Sequence, residues 1–502
     1  MGRPYSKAQG GAAIVVAAAD TPGVLKSRAD LVCTGTSTTG GDESTINAAL
    51  GRADAVVLCP GTFWVSGSIL LGTGQSLLGS GPNSVIKVRN GHNADVDVIV
   101  NSDTAEGNDY IAVRDLVVDG NGGNQSRSID MNGVNFSNCK NGIIQAIVAR
   151  DFSTGDYSEG IRLTTCGYFR VLDNRCHENS YASIYLRSCN NVLVQGNICT
   201  GYGNDGIDVT RPVGLPKTKE CAVIGNICYG HKIDGIWLND AEDCIVQGNI
   251  CVGNGLRGIG LSRANSRNLI IGNVCADNSQ SAHLEYDNIR EGDNSSGFSC
   301  TIQGNRCYSR TVSTSLSGAH SAGATEITVS DTTGFIIGLG ITIDADGSAG
   351  KRETHRIANI VGNVVTLRDG LTNDQADGED VAFPRTHAGI GLGPFSTAAI
   401  VCDNDVRDGG NVNISVGGAN AIIRNNRGYN PVGISPITVG ASPFTYTAGA
   451  SPETVYVSGG TVTSITKGGN NFGLTSGCFN LEPYESIIVT YTVAPTMFKD
   501  VH

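Results

Sequence analysis

The triplet Asn-x-Cys recurs at Asn174–Cys176, Asn197–Cys199, Asn226–Cys228, Asn249–Cys251, Asn273–Cys275 and Asn305–Cys307, in steps of 23, 29, 23, 24 and 32 residues. A second motif, Gly-Ile-x-(Leu/Val), begins seven residues after Cys199, Cys228 and Cys251, at Gly206, Gly235 and Gly258. Gly160–Leu163 and Ser183–Leu186 are earlier copies. A unit this short cannot bury an apolar face alone, so neighbouring units must stack and share one core. Stacking at the strand spacing of about 4.8 Å turns equivalent positions into columns. The cysteines then point inward as small apolar side chains, and the asparagines form a ladder at a bend that bonds each coil to the next. The pattern predicts an all-β chain folded as a right-handed parallel β-helix, a single-chain solenoid. A propeller fits less well, because its blades need about 40–50 residues.

Composition agrees where it bears on the choice. With 68 Gly in 502 residues and only 16% charged residues, a charge-rich helical bundle is a poor fit. Hydrophobic residues at 40% are enough for a core. A net charge of −12 leaves no basic footprint for nucleic acid, and no apolar run is long enough for membrane insertion. The 16 cysteines contain no Cys-x-x-Cys pair, which argues against zinc. Parallel neighbours rarely offer disulfide geometry, so most should be free thiols. Ala12–Ala19, after Arg3 and Lys7, faintly resembles a secretory signal; a first strand at Ala13–Val16 is the preferred reading.

Breaks in the period divide the chain. Residues 1–52 read as an N-terminal strand and helix cap, with the helix at Ser44–Arg52, and 53–308 as the β-helix. A small all-β module is inserted at 309–386; Asn404 and Asn426 carry the ladder on through 387–432, and a β-sandwich fills 433–502.

Asp42–Leu50, Val57–Ser66 and Asp115–Gly122 resemble the N-terminal signatures of the pectate-lyase-like superfamily, which includes polygalacturonase-related proteins and phage tailspikes. The resemblance runs over about residues 10–430. Together with the two appended modules, it implies a homotrimeric tailspike or tail fibre on the virion surface. Such a spike contacts other virion tail proteins and binds, and in some cases depolymerises, a host polysaccharide. Two alternatives stay open: a secreted, extracellular polysaccharide lyase or glycoside hydrolase, and a non-enzymatic structural virion protein. Asn204–Asp208 resembles one acidic motif of the polygalacturonases, but the chain has no Gly-His-Gly and no matching Arg-x-Lys.

Alternation of faces aims the x of Gly-Ile-x-Leu away from the core. Up the stack this row reads Asn135, Arg162, Tyr185, Asp208, Trp237, Gly260 and then His283; the next outward row reads Arg187, Thr210, Asn239, Ser262 and Glu285. Tyr185 and Trp237 offer flat faces to sugar rings, and Arg187, Asn239 and His283 offer hydrogen bonds. Packing of Trp237 under a loop or a second subunit is the competing reading. Two long steps predict loops flanking this face, Thr210–Glu220 with Arg211, Lys217 and Lys219, and Tyr286–Phe298 with Arg290 and Glu291, on either side of Trp237 and Arg263. Tolerated decoration is the alternative. Asp205, Asp208, Asp234, Asp240 and Glu285 are the candidate acid/base groups for glycoside cleavage, although Asp before Gly is also an ordinary turn choice. No cofactor is called for; Asp119–Asn124 is a candidate Ca2+ loop, with a plain turn as the competing reading.

Overall fold

A computed structural model of the chain describes residues 13–126, 128–153, 155–201, 203–292, 299–418, 420–429 and 434–501. Three parallel sheets of 14, 10 and 11 strands carry the coils. The first sheet runs from Leu31–Val32 and Ile14–Ala17 to Ile422–Arg424, and the second from Gly61–Val65 to Arg306–Tyr308. The third runs from Ile69–Leu71 to Val412–Val416. The helix Asp42–Leu50, entered through Gly41 at φ 97°, covers the N-terminal end, two residues earlier than the sequence suggested. Arg3, Lys7 and Ala12 lie outside the described residues. Among those described, no helix is long and apolar enough to cross a membrane.

The repeat motif maps onto one corner between the first and second sheets. Gly196, Gly225, Gly248, Gly272 and Gly304 each adopt φ between 63° and 69° immediately before a ladder asparagine. That left-handed conformation costs glycine nothing and reverses the chain between the strands. Each asparagine then donates from Nδ2 to the Oδ1 of the asparagine one coil on, at 2.9 to 3.0 Å from Asn174 through Asn305 to Asn404. Its other amide hydrogen reaches a carbonyl of the preceding coil, as Asn249 does to Val223 at 2.9 Å. A buried bend thereby has its polar groups paired.

Two residues past each asparagine, Cys176, Cys199, Cys228, Cys251, Cys275 and Cys307 pair in register as an inward column. All six are 0% exposed free thiols. A second buried set that the repeat reading missed, Cys139, Cys166, Cys189, Cys221 and Cys244, enters the first sheet at another corner. Burial raises Cys189 to about 12, so that thiol packs as a small apolar group rather than as a nucleophile.

Residues 313–382 form a six-stranded antiparallel sheet with its own apolar core around Phe335, Ile341, Ile357 and Phe383. It is clamped to the solenoid by Arg356, whose guanidinium donates to the carbonyls of His231 and Gly253, each at 3.1 Å. Ser435–Ile437 onward builds two four-stranded antiparallel sheets packed face to face over Val455, Ile465, Leu481 and Val489.

Candidate functional site

The outer row of the third sheet has the expected register through Asn135, Arg162, Tyr185, Asp208, Trp237 and Gly260. Beyond that the order differs. Arg290, then Gly391, continue the row. His283 sits in the loop before that strand, its Nδ1 accepting the backbone N–H of Arg385 at 3.2 Å. Glu285 is exposed in the same loop and belongs to neither row. The cause is where the long step puts its extra residues: most enter before the strand Ile289–Glu291, which delays the row to Arg290. Of the loop expected at Tyr286–Phe298, residues 293–298 lie outside the described part.

The expected acids separate into distinct environments. Asp205 Oδ1 accepts the N–H of Asp234 at 2.9 Å, and Asp234 Oδ1 accepts that of Arg257 at 2.9 Å, so both brace turns between coils. Asp240 carries the long Thr210–Glu220 loop through Arg211 at 3.2 Å and Lys217 at 3.6 Å. Thr218–Lys219 also pairs with Ala241–Glu242, which anchors that loop to the next coil. Asp119 meets Lys87 at 3.2 Å and Arg150 at 2.9 Å and accepts the N–H of Asn121. Its charge is compensated from within the chain, so the Asp119–Asn124 segment has the geometry of a braced turn.

Asp208 is different. It is 0% exposed, and neither carboxylate oxygen has a hydrogen-bond partner among the described residues. Burial, followed by the charges of Asp205, Glu159 and Asp234, holds its pKa well above the carboxylate range. Glu159, 1% exposed, is raised to about 7 by burial, with Arg162 at 3.7 Å opposing the shift. Glu159 lies just ahead of a Gly-Ile-x-Leu strand and carries no motif signature, so the repeat could not single it out.

Tyr181 and Tyr185 lie near Asp208. Tyr157, Tyr181 and Tyr185 form a run of rings with centroids 5.5 and 5.4 Å apart. Arg162 and Arg187 each lie 5.8 Å from the Tyr185 ring. Burial is the main cause of the rise in both Tyr181 and Tyr185, the latter to about 12, with the Asp208 charge next. Trp237 is half-buried one coil on from Asp208 and donates from Nε1 to Ser262 Oγ at 2.9 Å. Beside it, a Cβ at Gly260 would stand 2.5 Å from Asp234 Oδ2, so the absent side chain makes room for that carboxylate. Asn239 is buried with Oδ1 unpartnered among the described residues, while Arg263 is exposed.

At one end of the tyrosine run lies a cavity of about 520 Å³ lined by Asp156, Tyr157, Glu178, Tyr181, Asn204 and Lys232, among others. Near Arg162, a smaller hollow of about 300 Å³ is lined by Asp97, Asn132 and Asn135. Tyr157 and Tyr181 sit in bends outside the repeat motifs, Tyr157 beside Gly155 and Asp156 and Tyr181 beside Asn179 and Ser180.

Residues 159–333 match the family described as right handed beta helix region. The A-modules of the mannuronan C-5 epimerases AlgE4 and AlgE6 of Azotobacter vinelandii are similar in structure at 16% identity, with TM-scores of 0.51 and 0.50. The alignments cover 78% and 79% of this chain and 97% and 98% of theirs. The Dettilon tailspike protein aligns at 13% identity over 92% of this chain and 90% of its own, with a TM-score of 0.45. No curated protein matches the sequence. With three stacked parallel sheets, a continuous asparagine ladder and this family match over its central coils, the chain is a right-handed parallel β-helix protein.

Proposed function

We propose that the chain binds a polysaccharide along the outer face of its third sheet and carries out proton transfer on it at Glu159 and Asp208. The observation that carries this reading is Asp208, a fully buried carboxyl with no hydrogen-bond partner for either oxygen among the described residues. A folded protein rarely keeps such a group without a use for it. Its raised pKa favours the protonated form, which can donate, while Glu159, raised to about 7, can take up or release a proton. The tyrosine run and Trp237 supply ring faces for sugars, and Arg162 and Arg187 can neutralise an acidic substituent. The fold is compatible with such work, since the two A-modules similar to it are named as mannuronan epimerases.

The test separates binding from chemistry. Tyr181→Ala should weaken polysaccharide binding by at least tenfold through lost stacking, with folding intact. Glu159→Gln should bind like the parent yet turn over about 10²-fold more slowly. Unchanged binding and turnover in both variants would remove this face from consideration.

A virion placement extends the same reading, and one observation favours it. Tyr456, Phe472, Leu474, Ile488 and Val493 leave a third or more of their surface exposed on the C-terminal sandwich. Apolar surface of this kind suits association with further copies of the chain. Sedimentation should give a three-chain mass that falls to one chain when residues 433–502 are removed; a monomeric parent would count against a spike.

A further inference from the structure

A cavity of about 640 Å³ lies on a different part of the molecule, where the inserted module leaves and re-enters the solenoid. Its wall comes from three stretches: Arg306–Val312 on the way out, Arg385 on the way back, and Asp405–Asp408 on the following coil. The corner exists only because the insertion is there. In a chain of net charge −12, four arginines line it against two aspartates.

Two of those arginines are already engaged. Arg407 grips Asp405 through Nε and Nη2 at 2.9 and 2.7 Å, and Arg310 Nε meets Asp277 at 2.5 Å. Arg306 and Arg385 have no carboxylate partner among the described residues. Arg385 donates from Nη2 to the Gly410 carbonyl at 3.0 Å, but its Nε is buried without an acceptor. Arg306 is exposed and lies 5.1 Å from the Tyr308 ring. A buried guanidinium N–H lacking an acceptor among the described residues and a second guanidinium on the same cavity wall suit a carboxylate.

We infer that this corner is a second saccharide site, taking a sugar that bears a single carboxylate. The volume suits one or two sugar rings and far exceeds that of an inorganic anion. Asp408 would repel a multiply charged phosphate or sulfate more than a single carboxylate, yet it can accept hydrogen bonds from sugar hydroxyls. Arg306 and Arg385 hold the carboxylate, and Tyr308 and Val312 offer apolar surface to the ring. This inference stands apart from the outer-face reading, because it uses none of the same residues.

The experiment titrates the full chain calorimetrically with mannuronate and galacturonate trimers and with their carboxyl-reduced forms. It is run in both the parent and the Tyr181→Ala background, so that binding at the outer face is discounted. At least one acidic trimer should bind tenfold or more tightly than its reduced form in both backgrounds. Arg306→Gln, at an exposed position, should weaken that binding at least tenfold without changing the melting temperature. Arg306→Gln with Arg385→Gln should abolish it. The inference is overturned if neither acidic trimer binds, if the reduced trimers bind equally well, or if sodium sulfate binds as tightly as the trimers. Parent-like affinity in Arg306→Gln would overturn it as well.

Discussion

Asn249→Leu should cost about 4 kcal/mol or more of stability, an exceptional loss for one nearly isosteric change. The Asn249 side chain donates to Val223 O at 2.9 Å and to Asn273 Oδ1 at 3.0 Å. It also accepts both the backbone N–H and the Nδ2 hydrogen of Asn226, each at 2.9 Å. Leucine fills similar space but leaves the Val223 carbonyl and the Asn226 N–H orphaned in a site where Asn226 and Asn249 are 0% exposed. Each buried orphan costs about 1–3 kcal/mol, and at 0% exposure the site is closed to bulk solvent. Because coils contact mainly their neighbours, the damage should concentrate there. Hydrogen exchange should show protection lost first across residues 223–275, with the N-terminal coils and the sandwich retained. A loss below about 1 kcal/mol would mean that the ladder records the bend without holding it.

Asp208→Asn should reduce turnover by about 10²-fold or more while making the protein more stable, increasingly so as pH rises. The sign follows from the raised pKa. The folded state keeps a proton that the unfolded chain releases above about pH 4. The stability associated with that proton is complete below pH 4 and is lost as pH climbs toward the folded value, by about 1.4 kcal/mol per unit. Asparagine keeps the shape and has no proton to lose, so the variant should be free of that decline. Glu159, raised to about 7, adds a slope of the same sign between about pH 4 and 7 that Asp208→Asn leaves in place. Thermal melts from pH 4 to 8 read the difference between the two curves directly. A variant less stable than the parent at pH 8 would mean that Asp208 is charged and paired in the fold, and the acid role would go with it.

The solenoid was legible in the sequence because its interactions are periodic. Asn-x-Cys and Gly-Ile-x-Leu place the same side chain at the same height in every coil, so spacing alone predicts the ladder, the thiol column and the register from Asn135 to Gly260. Where the period is interrupted, that logic fails. His283 and Glu285 were placed in the outer rows by counting, but counting cannot tell whether an insertion enters before a strand or after it, and Arg290 took the place instead.

The chemistry was less legible still. Asp205, Asp208, Asp234 and Asp240 look alike as aspartates in or near turns. Their difference lies in partners from other coils: a backbone N–H for Asp205 and Asp234, two cations of the long loop for Asp240, and none among the described residues for Asp208. Glu159, Tyr181 and Tyr185 feel the charge of that acid only because stacking brings their coils together. Repetition along the chain is a local property and can be read from one sequence. The desolvation and field felt by a carboxyl are sums over neighbours remote in sequence, and only the tertiary structure decides those.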